Sequence, residues 1–219
     1  MGRILVVSGV GPYADPWHPF ERTTPRIAEV LRDAGHAVEV RETVAGSMLD
    51  LASFDLLVVN AGGGIADEPE SPSAEFEADL RALGDYLDAG GRALSIHTSN
   101  GAFRQQPKWR AAVGGNWGPD SWHPDISDAT FEPAAGAEGH PVWEGLDAVE
   151  VFDEKYSRLD IDEGATPLVQ HTLEGRDEVM GWAVGDQVVF DGLGHDEQSY
   201  ESASRRQLLL NEVAWLLRT

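Results

Sequence analysis

Apolar and polar positions along this chain follow two rhythms, and the order in which they succeed one another predicts its elements. Short unbroken apolar runs, Ile4–Val7, Leu56–Val59, Ala93–Ile96 and Val188–Phe190, read as strands buried on both faces. Between them apolar residues recur at helical spacing: Ile27, Val30 and Leu31 within Thr23 to Ala34, and Phe76, Leu80, Leu83 and Leu87 within Ser73 to Ala89. Pro25 is tolerated in the first turn of the earlier helix and Gly35 ends it; Ser73 suits the start of the later one and Gly90-Gly91 its stop. Ala37 to Val40 and Phe54 to Val59 add strands around these helices. Strands alternating with helices predict βαβ units, with right-handed crossovers and helices on both faces of a parallel sheet.

The pattern breaks between Pro107 and about Leu146, where Gly114-Gly115, Trp117, Trp122-His123-Pro124 and Gly139-His140-Pro141 interrupt any long helix. This stretch reads as an irregular insertion at about 107–146. From Glu150 onward the chain is strand-rich, with Val151 to Leu159, Pro167 to His171, Val179 to Val184 and Gln187 to Phe190 as strands. The turn Gly185-Asp186 joins the last two, and Ala203 to Leu217 closes the chain as a helix. With no repeat and no linker, residues 1–219 read as a single α/β domain.

Composition narrows the function classes. Lys and Arg total 16 against 38 Asp and Glu, a formal charge of -22, which disfavours nucleic acid and anionic membrane surfaces as partners. The acids are dispersed, as on a solubilising surface. No apolar run approaches the ~20 residues that span a bilayer, and the N-terminus does not resemble a signal peptide, so the cytoplasm is the expected compartment. The chain has no cysteine, which excludes disulfides, thiolate ligands and cysteine nucleophiles.

Candidate chemistry gathers where the apolar runs end. Loops beyond the carboxyl ends of parallel strands line one crevice, so the loop with His18, Gly62-Gly63-Gly64, His97 and Gly194-His195-Asp196 are expected to converge. His97 stands at a strand-to-helix turn, where imidazole can serve as a general base or a metal ligand, or can cap the sheet edge. For His195 the flanking glycines allow a sharp turn, and Asp196 or Asp191 is a candidate for orienting the ring. If Val151 to Leu159 is extended, Phe152, Glu154, Tyr156 and Arg158 share a face, and a carboxylate placed there must be paired, ligated or catalytic. Arg158 and Lys155 are its available structural partners. His97, Glu154 and His195 are thus the candidate catalytic set. With His18 they are also an accepted ligand set for a divalent metal such as zinc.

Gly63, Asn100, Trp117 and His123 are the expected substrate-binding positions, Trp117 and His123 because an aromatic neighbour can stack on a sugar ring. The glycine run lacks the sequence around it that a phosphate loop or a dinucleotide fold needs, so no nucleotide cofactor is expected. Ser95 or Ser99 could in principle complete a serine triad, but Gly-x-Ser-x-Gly is absent. His36 and His171 read as structural or solvent-facing, and His140 as shaping a turn.

These segments resemble the ThuA-like, trehalose-utilisation family, a branch of the class I glutamine amidotransferase-like superfamily. The resemblance is carried by Ile4-Leu5-Val6-Val7-Ser8-Gly9, Leu94-Ser95-Ile96-His97, Gly139-His140-Pro141-Val142 with Gly145-Leu146, Asp153-Glu154-Lys155-Tyr156 and Leu193-Gly194-His195-Asp196, in family order. It implies a flavodoxin-like three-layer sandwich with a mostly parallel sheet and a strand-rich C-terminal portion. It also implies a role in carbohydrate metabolism on a sugar or an oxidised derivative, with His97, Glu154 and His195 as site residues and His18 a fourth. His97 would replace the cysteine of related amidotransferases, so glutaminase activity is not expected. An enzyme using acid–base or metal-assisted chemistry is the leading expectation. The competing one is a non-catalytic sugar-binding or regulatory domain, and association into a homo-oligomer stays open.

Overall fold

A computed structural model describes residues 1–63 and 73–218 of the chain, so Gly64 lies outside the described residues. In order, the elements are β1 (Arg3–Ser8), α1 (Phe20–Asp33), β2 (Ala37–Glu42), β3 (Leu56–Asn60), α2 (Phe76–Asp88), β4 (Ala93–Ile96), α3 (Pro107–Val113) and β5 (Gly115–Asn116). Next come β6 (Ser127–Pro133), β7 (Val149–Asp153), β8 (Asp160–Ile161), β9 (Ala165–Leu173), β10 (Arg176–Val184), β11 (Val188–Asp191) and α4 (Ala203–Leu217). One nine-stranded sheet runs in the order β2, β1, β3, β4, β11, β10, β9, β6, β7, and β5 pairs with β8 beside it. From β2 to β11 every pairing is parallel, and from β11 to β7 every pairing is antiparallel.

The parallel half explains the unbroken apolar runs. Ile4, Val6, Leu56, Val58, Leu94 and Ile96 pack on one face against Ile27 and Leu31 of α1 and Leu208 and Val213 of α4. Leu5, Val7, Leu57 and Val59 pack on the other against Leu80 and Leu83 of α2 and Trp109 and Val113 of α3. Both faces of each strand are therefore dry, and each fully buried Leu, Ile or Val contributes about 1.5–3 kcal/mol. This three-layer arrangement brings the carboxyl ends of β1, β3, β4 and β11 side by side. The antiparallel wing covers α4: Glu150 N–H donates to Ser204 Oγ and its carbonyl accepts from Ser202 Oγ.

Several sequence expectations change. Helix α1 begins at Phe20 rather than Thr23, which puts Pro25 inside the helix instead of in its first turn. The earlier start is favoured by burial of Phe20 and by Thr23 and Thr24, whose hydroxyls accept from Asn60 Nδ2 at the end of β3, both at 2.8 Å. Helix α2 starts at Phe76, whose N–H is taken by Ser73 Oγ at 3.2 Å. The stretch 107–146 is not wholly irregular: it holds α3, stopped by left-handed Gly114, and β6, which joins the main sheet with Ala129 and Phe131 inward at period two.

Val151 to Leu159 is not one extended strand. β7 ends at Asp153, because Glu154 N–H turns to the Asp153 carboxylate at 2.9 Å instead of continuing the ladder, and Arg158 takes a φ of 56°. The four residues from Phe152 to Arg158 thus do not share a face. Arg158 lies over the Trp122 ring, 5.8 Å from its centroid, and is not the partner of Glu154.

Candidate functional site

Three imidazoles reach the crevice from the ends of parallel strands, each oriented by its own support. His18 lies beyond β1, and its Nδ1 donates to both oxygens of Asp15 at 2.7 and 2.8 Å, so Nε2 turns inward. The same Asp15 Oδ1 accepts the N–H groups of Trp17 and His18, closing the loop around the ring. A Cβ at position 62 would stand 2.7 Å from Asp15 Oδ2, so glycine there makes room for the supporting carboxylate. Burial lowers the pKa of His18 despite Asp15, while the Asp15 carboxyl, pushed up by burial, is brought below its ordinary value by His18 and these backbone N–H groups.

His97 is the first residue beyond β4 and takes a φ of 51°, a left-handed conformation that costs a non-glycine residue energy and is held by its surroundings. It opens a short 3-10 turn, His97–Gly101, rather than the α-helix expected from sequence. Its Nδ1 lies 2.6 Å from the Gly192 carbonyl, which can only accept, so Nδ1 carries the hydrogen and Nε2 faces the crevice. His195 comes after Gly194, whose φ of 115° lets the loop beyond β11 turn back. The loop is fixed by Asp153, which is fully buried and accepts from Gly194 N at 2.8 Å, His195 N at 3.2 Å, Ser199 Oγ at 2.6 Å and Glu154 N at 2.9 Å. The sequence suggests Asp191 or Asp196 as the residue that orients the ring, and neither does so. Asp191 binds Arg205 and Leu193 N, and Asp196 caps the next turn at Gln198 N.

Glu154 comes from the opposite wing and closes the group. Its Oε2 lies 3.2 Å from His195 Nδ1 and 3.4 Å from His97 Nε2, and its Oε1 lies 3.5 Å from His123 Nδ1. One ligand atom from each of His18, His97, Glu154 and His195 falls within 4.8 Å of the others. The short approach between Glu154 Oε2 and His195 Nδ1 is a charge contact without hydrogen-bond alignment, and both atoms are buried without a hydrogen-bond partner among the described residues. Burial raises the pKa of Glu154, but His195 and His97 outweigh it and hold the carboxyl well below the usual range. Burial lowers the pKa of His195, and the adjacent Glu154 carboxylate more than reverses that.

Tyr156, which the sequence places near Glu154 without a role, is central to the geometry. Its ring stacks on His97 at 4.5 Å and meets the edge of Trp117 at 4.8 Å, and its carbonyl accepts from His171 Nε2 at 2.8 Å. Burial, with Glu154, Asp153 and Asp15 nearby, pushes its hydroxyl well above its ordinary pKa. His171 is thereby structural, as are His36, which accepts from Gly2 N, and His140, which accepts from Val142 N.

A cavity of about 750 Å³ opens over this group, with His18, Glu154, Tyr156 and His195 in its wall and Trp17 and Trp117 beside them. Both tryptophans present bare ring surface, being 63% and 39% exposed. Trp117 and His123 are carried there by an antiparallel bridge between Trp122 and Ser157. Asn100 also lines the cavity, and its buried Nδ2 has no partner among the described residues. Gly63 is not among the described residues of its wall: a Cβ there would lie 2.5 Å from the Gly101 carbonyl, so glycine allows this close approach of backbone. Ser99 Oγ accepts from Ala61 N, and Ser95 and Ser99 are fully buried outside the cavity wall, so no serine triad forms among the described residues.

Sequence reasoning missed Asp15, Asp153 and Tyr156 as parts of the site. A signal for Asp153 exists in the sequence, since Val149, Val151 and Asp153 are the inward positions of β7 and place a carboxylate among core residues. Among the described residues, no helix is long and apolar enough to cross a membrane.

The family model for ThuA, described as trehalose utilisation, matches residues 3–216. Among solved structures, the chain is similar to a ThuA-like protein from Parabacteroides merdae at 18% identity and a TM-score of 0.81, covering 99% of this chain and 90% of that one. A ThuA-like protein from Bacteroides uniformis gives 15% and 0.74, covering 98% and 90%. A glutamine amidotransferase from Thermotoga maritima gives 14% and 0.62, covering 99% and 98%, so the amidotransferase-like fold extends over the whole chain. No curated protein sequence matches the chain.

Proposed function

Since the chain belongs to the ThuA family, whose description is trehalose utilisation, we propose that it is an enzyme acting on a sugar or an oxidised sugar derivative at a divalent-metal centre. The observation that carries this reading is the convergence of His18, His97, Glu154 and His195, whose ligand atoms lie within 4.8 Å of one another. The donor set fits a zinc-like ion: neutral imidazoles and a carboxylate, with Glu154 Oε2 and His195 Nδ1 buried and lacking hydrogen bonds that an ion would supply. Such an ion polarises a carbonyl or lowers the pKa of bound water.

The chain's own groups prepare the rest. Asp15 and the Gly192 carbonyl hold the hydrogens of His18 and His97 on Nδ1, leaving Nε2 of each toward the crevice. Trp17 and Trp117 offer flat apolar faces suited to the C–H face of a pyranose, and Asn100 Nδ2 is a free donor for one of its hydroxyls. The absence of cysteine from the sequence leaves no thiol for glutaminase chemistry of the amidotransferase kind.

Metal analysis of protein prepared without added metal or a metal-affinity tag tests the centre. Stoichiometric metal that disappears in a His97→Ala and His195→Ala double variant is the expected result. A metal-free wild type that takes up none on titration, or full occupancy in the double variant, would overturn this ligand set and favour a sugar-binding domain without catalysis.

A further inference from the structure

The Tyr156 hydroxyl lies where His97 would have to meet an ion. It is 2.7 Å from His97 Nε2 and 3.4 Å from His18 Nε2. Because His97 Nδ1 gives its hydrogen to the Gly192 carbonyl, the neutral ring has only a lone pair at Nε2, and a phenol hydroxyl beside it must donate. The electron pair that a metal needs from His97 is therefore already engaged. The tyrosine cannot easily swing away, since its ring is stacked on His97, braced by Trp117 and anchored through its carbonyl to His171. An ion reaching that nitrogen must therefore displace the hydroxyl against this bracing.

Resting on the metal-centre reading above, we propose that Tyr156 competes with a divalent ion for His97 Nε2, and that its hydroxyl is released toward the cavity when an ion takes that nitrogen. The other acceptors beside it, His18 Nε2 and the Glu154 carboxylate, belong to the same ligand set, so an ion would engage them too. The released O–H then finds its acceptor in the molecule entering the cavity, whose wall Tyr156 forms. Tyr156 thereby couples loading of the centre to recognition of a substrate oxygen.

The test measures Zn²⁺ affinity by competition with a chromophoric chelator in the wild type, Tyr156→Phe, His97→Ala and the double variant. Tyr156→Phe keeps the stacked ring and should bind Zn²⁺ roughly three- to tenfold more tightly, the worth of one ordinary hydrogen bond. In the His97→Ala background the gain should be smaller, because only the longer contact to His18 remains. Unchanged or weaker binding by Tyr156→Phe, or an equal gain without His97, would overturn the competition while leaving the metal centre standing. If none of the proteins binds Zn²⁺, the centre and the competition fall together. The unaltered protein gives an independent readout: the ¹⁵N shift of His97 Nε2 should be that of a hydrogen-bonded acceptor in the ion-free state, and an unbonded lone pair would overturn the proposal.

Discussion

Two groups of buried charges flank the loop beyond β11, and they solve the problem of burial in opposite ways. Behind the loop, Arg205 and Asp191 are both fully buried and meet at 2.6 Å, with Glu212 beside them. Burial, with Asp191 close by, pushes the Glu212 carboxyl well above its ordinary pKa. In front of the loop, Glu154 faces imidazoles, and among the described residues the cavity wall holds no lysine or arginine. Both groups keep buried polar atoms without hydrogen-bond partners among the described residues, Arg205 Nε and Nη1 and Glu212 Oε2 in the closed one and Glu154 Oε2 and His195 Nδ1 in the open one, but only the closed group pairs its carboxylate with a guanidinium. The difference separates charges paired with one another from charges that, on the proposed reading, are arranged for a guest.

The largest effect expected from this contrast is on the closed side. Arg205→Met removes the cation from Asp191 and should cost about 3–5 kcal/mol in urea unfolding. Glu154→Gln should cost less than about 1 kcal/mol, because Glu154 Oε2 makes no hydrogen bond among the described residues that the amide would lose. It should nevertheless lower Zn²⁺ affinity. Equal losses of stability in the two variants would erase the distinction. Asp153 bridges the two regions, and Asp153→Ala strands the N–H groups of Glu154, Gly194 and His195; a loss of about 3 kcal/mol is expected. Zn²⁺ affinity in that variant should fall at least about tenfold, as when the supports of metal ligands are removed. A variant with lowered stability and undiminished affinity would show that Asp153 positions nothing.

Acidity sharpens the contrast further. The pKa of His195 is raised above 6.5, so a proton competes with an ion for its ring first as pH falls. Zn²⁺ affinity should be level well above that raised value and decline below it by about tenfold per pH unit for one proton displaced. A flat titration from about pH 8 to 5 would remove His195 from the ligand set. Glu212 carries a separate pH dependence, its pKa being raised in the fold. The unfolded chain loses that proton above its ordinary 4.5 while the folded chain retains it, so this group makes stability decline as pH rises beyond 4.5. Glu212→Gln should be more stable than wild type at about pH 8 and no different at about pH 4. Equal stability at both values would mean that Glu212 is ionised and paired.

Much of the parallel half was legible because strands buried on both faces must be apolar throughout: β4 ended with its run, and β1, β3 and β11 one residue beyond theirs. That placement alone marked His97 and His195. The wing was less legible, since β6 alternates buried and exposed residues over few positions and Asp153 bends β7 away from its apparent continuation. Asp15 could not be read at all: its role depends on a loop closing on itself and on a glycine far along the chain that leaves space for it. Tyr156 was legible as a neighbour of Glu154, but its reach to His97 depends on the chain having left the strand.

Strand β7 is the outermost member of the sheet, paired on one side only, and it delivers the sole carboxylate of the ligand set. Edge strands fray before central ones. Were this edge to detach, Glu154 would depart and the Asp153 anchor of the His195 loop would go with it. A guest held by both halves would act as a latch, slowing amide hydrogen exchange along Val149–Asp153, although none of those residues need touch it.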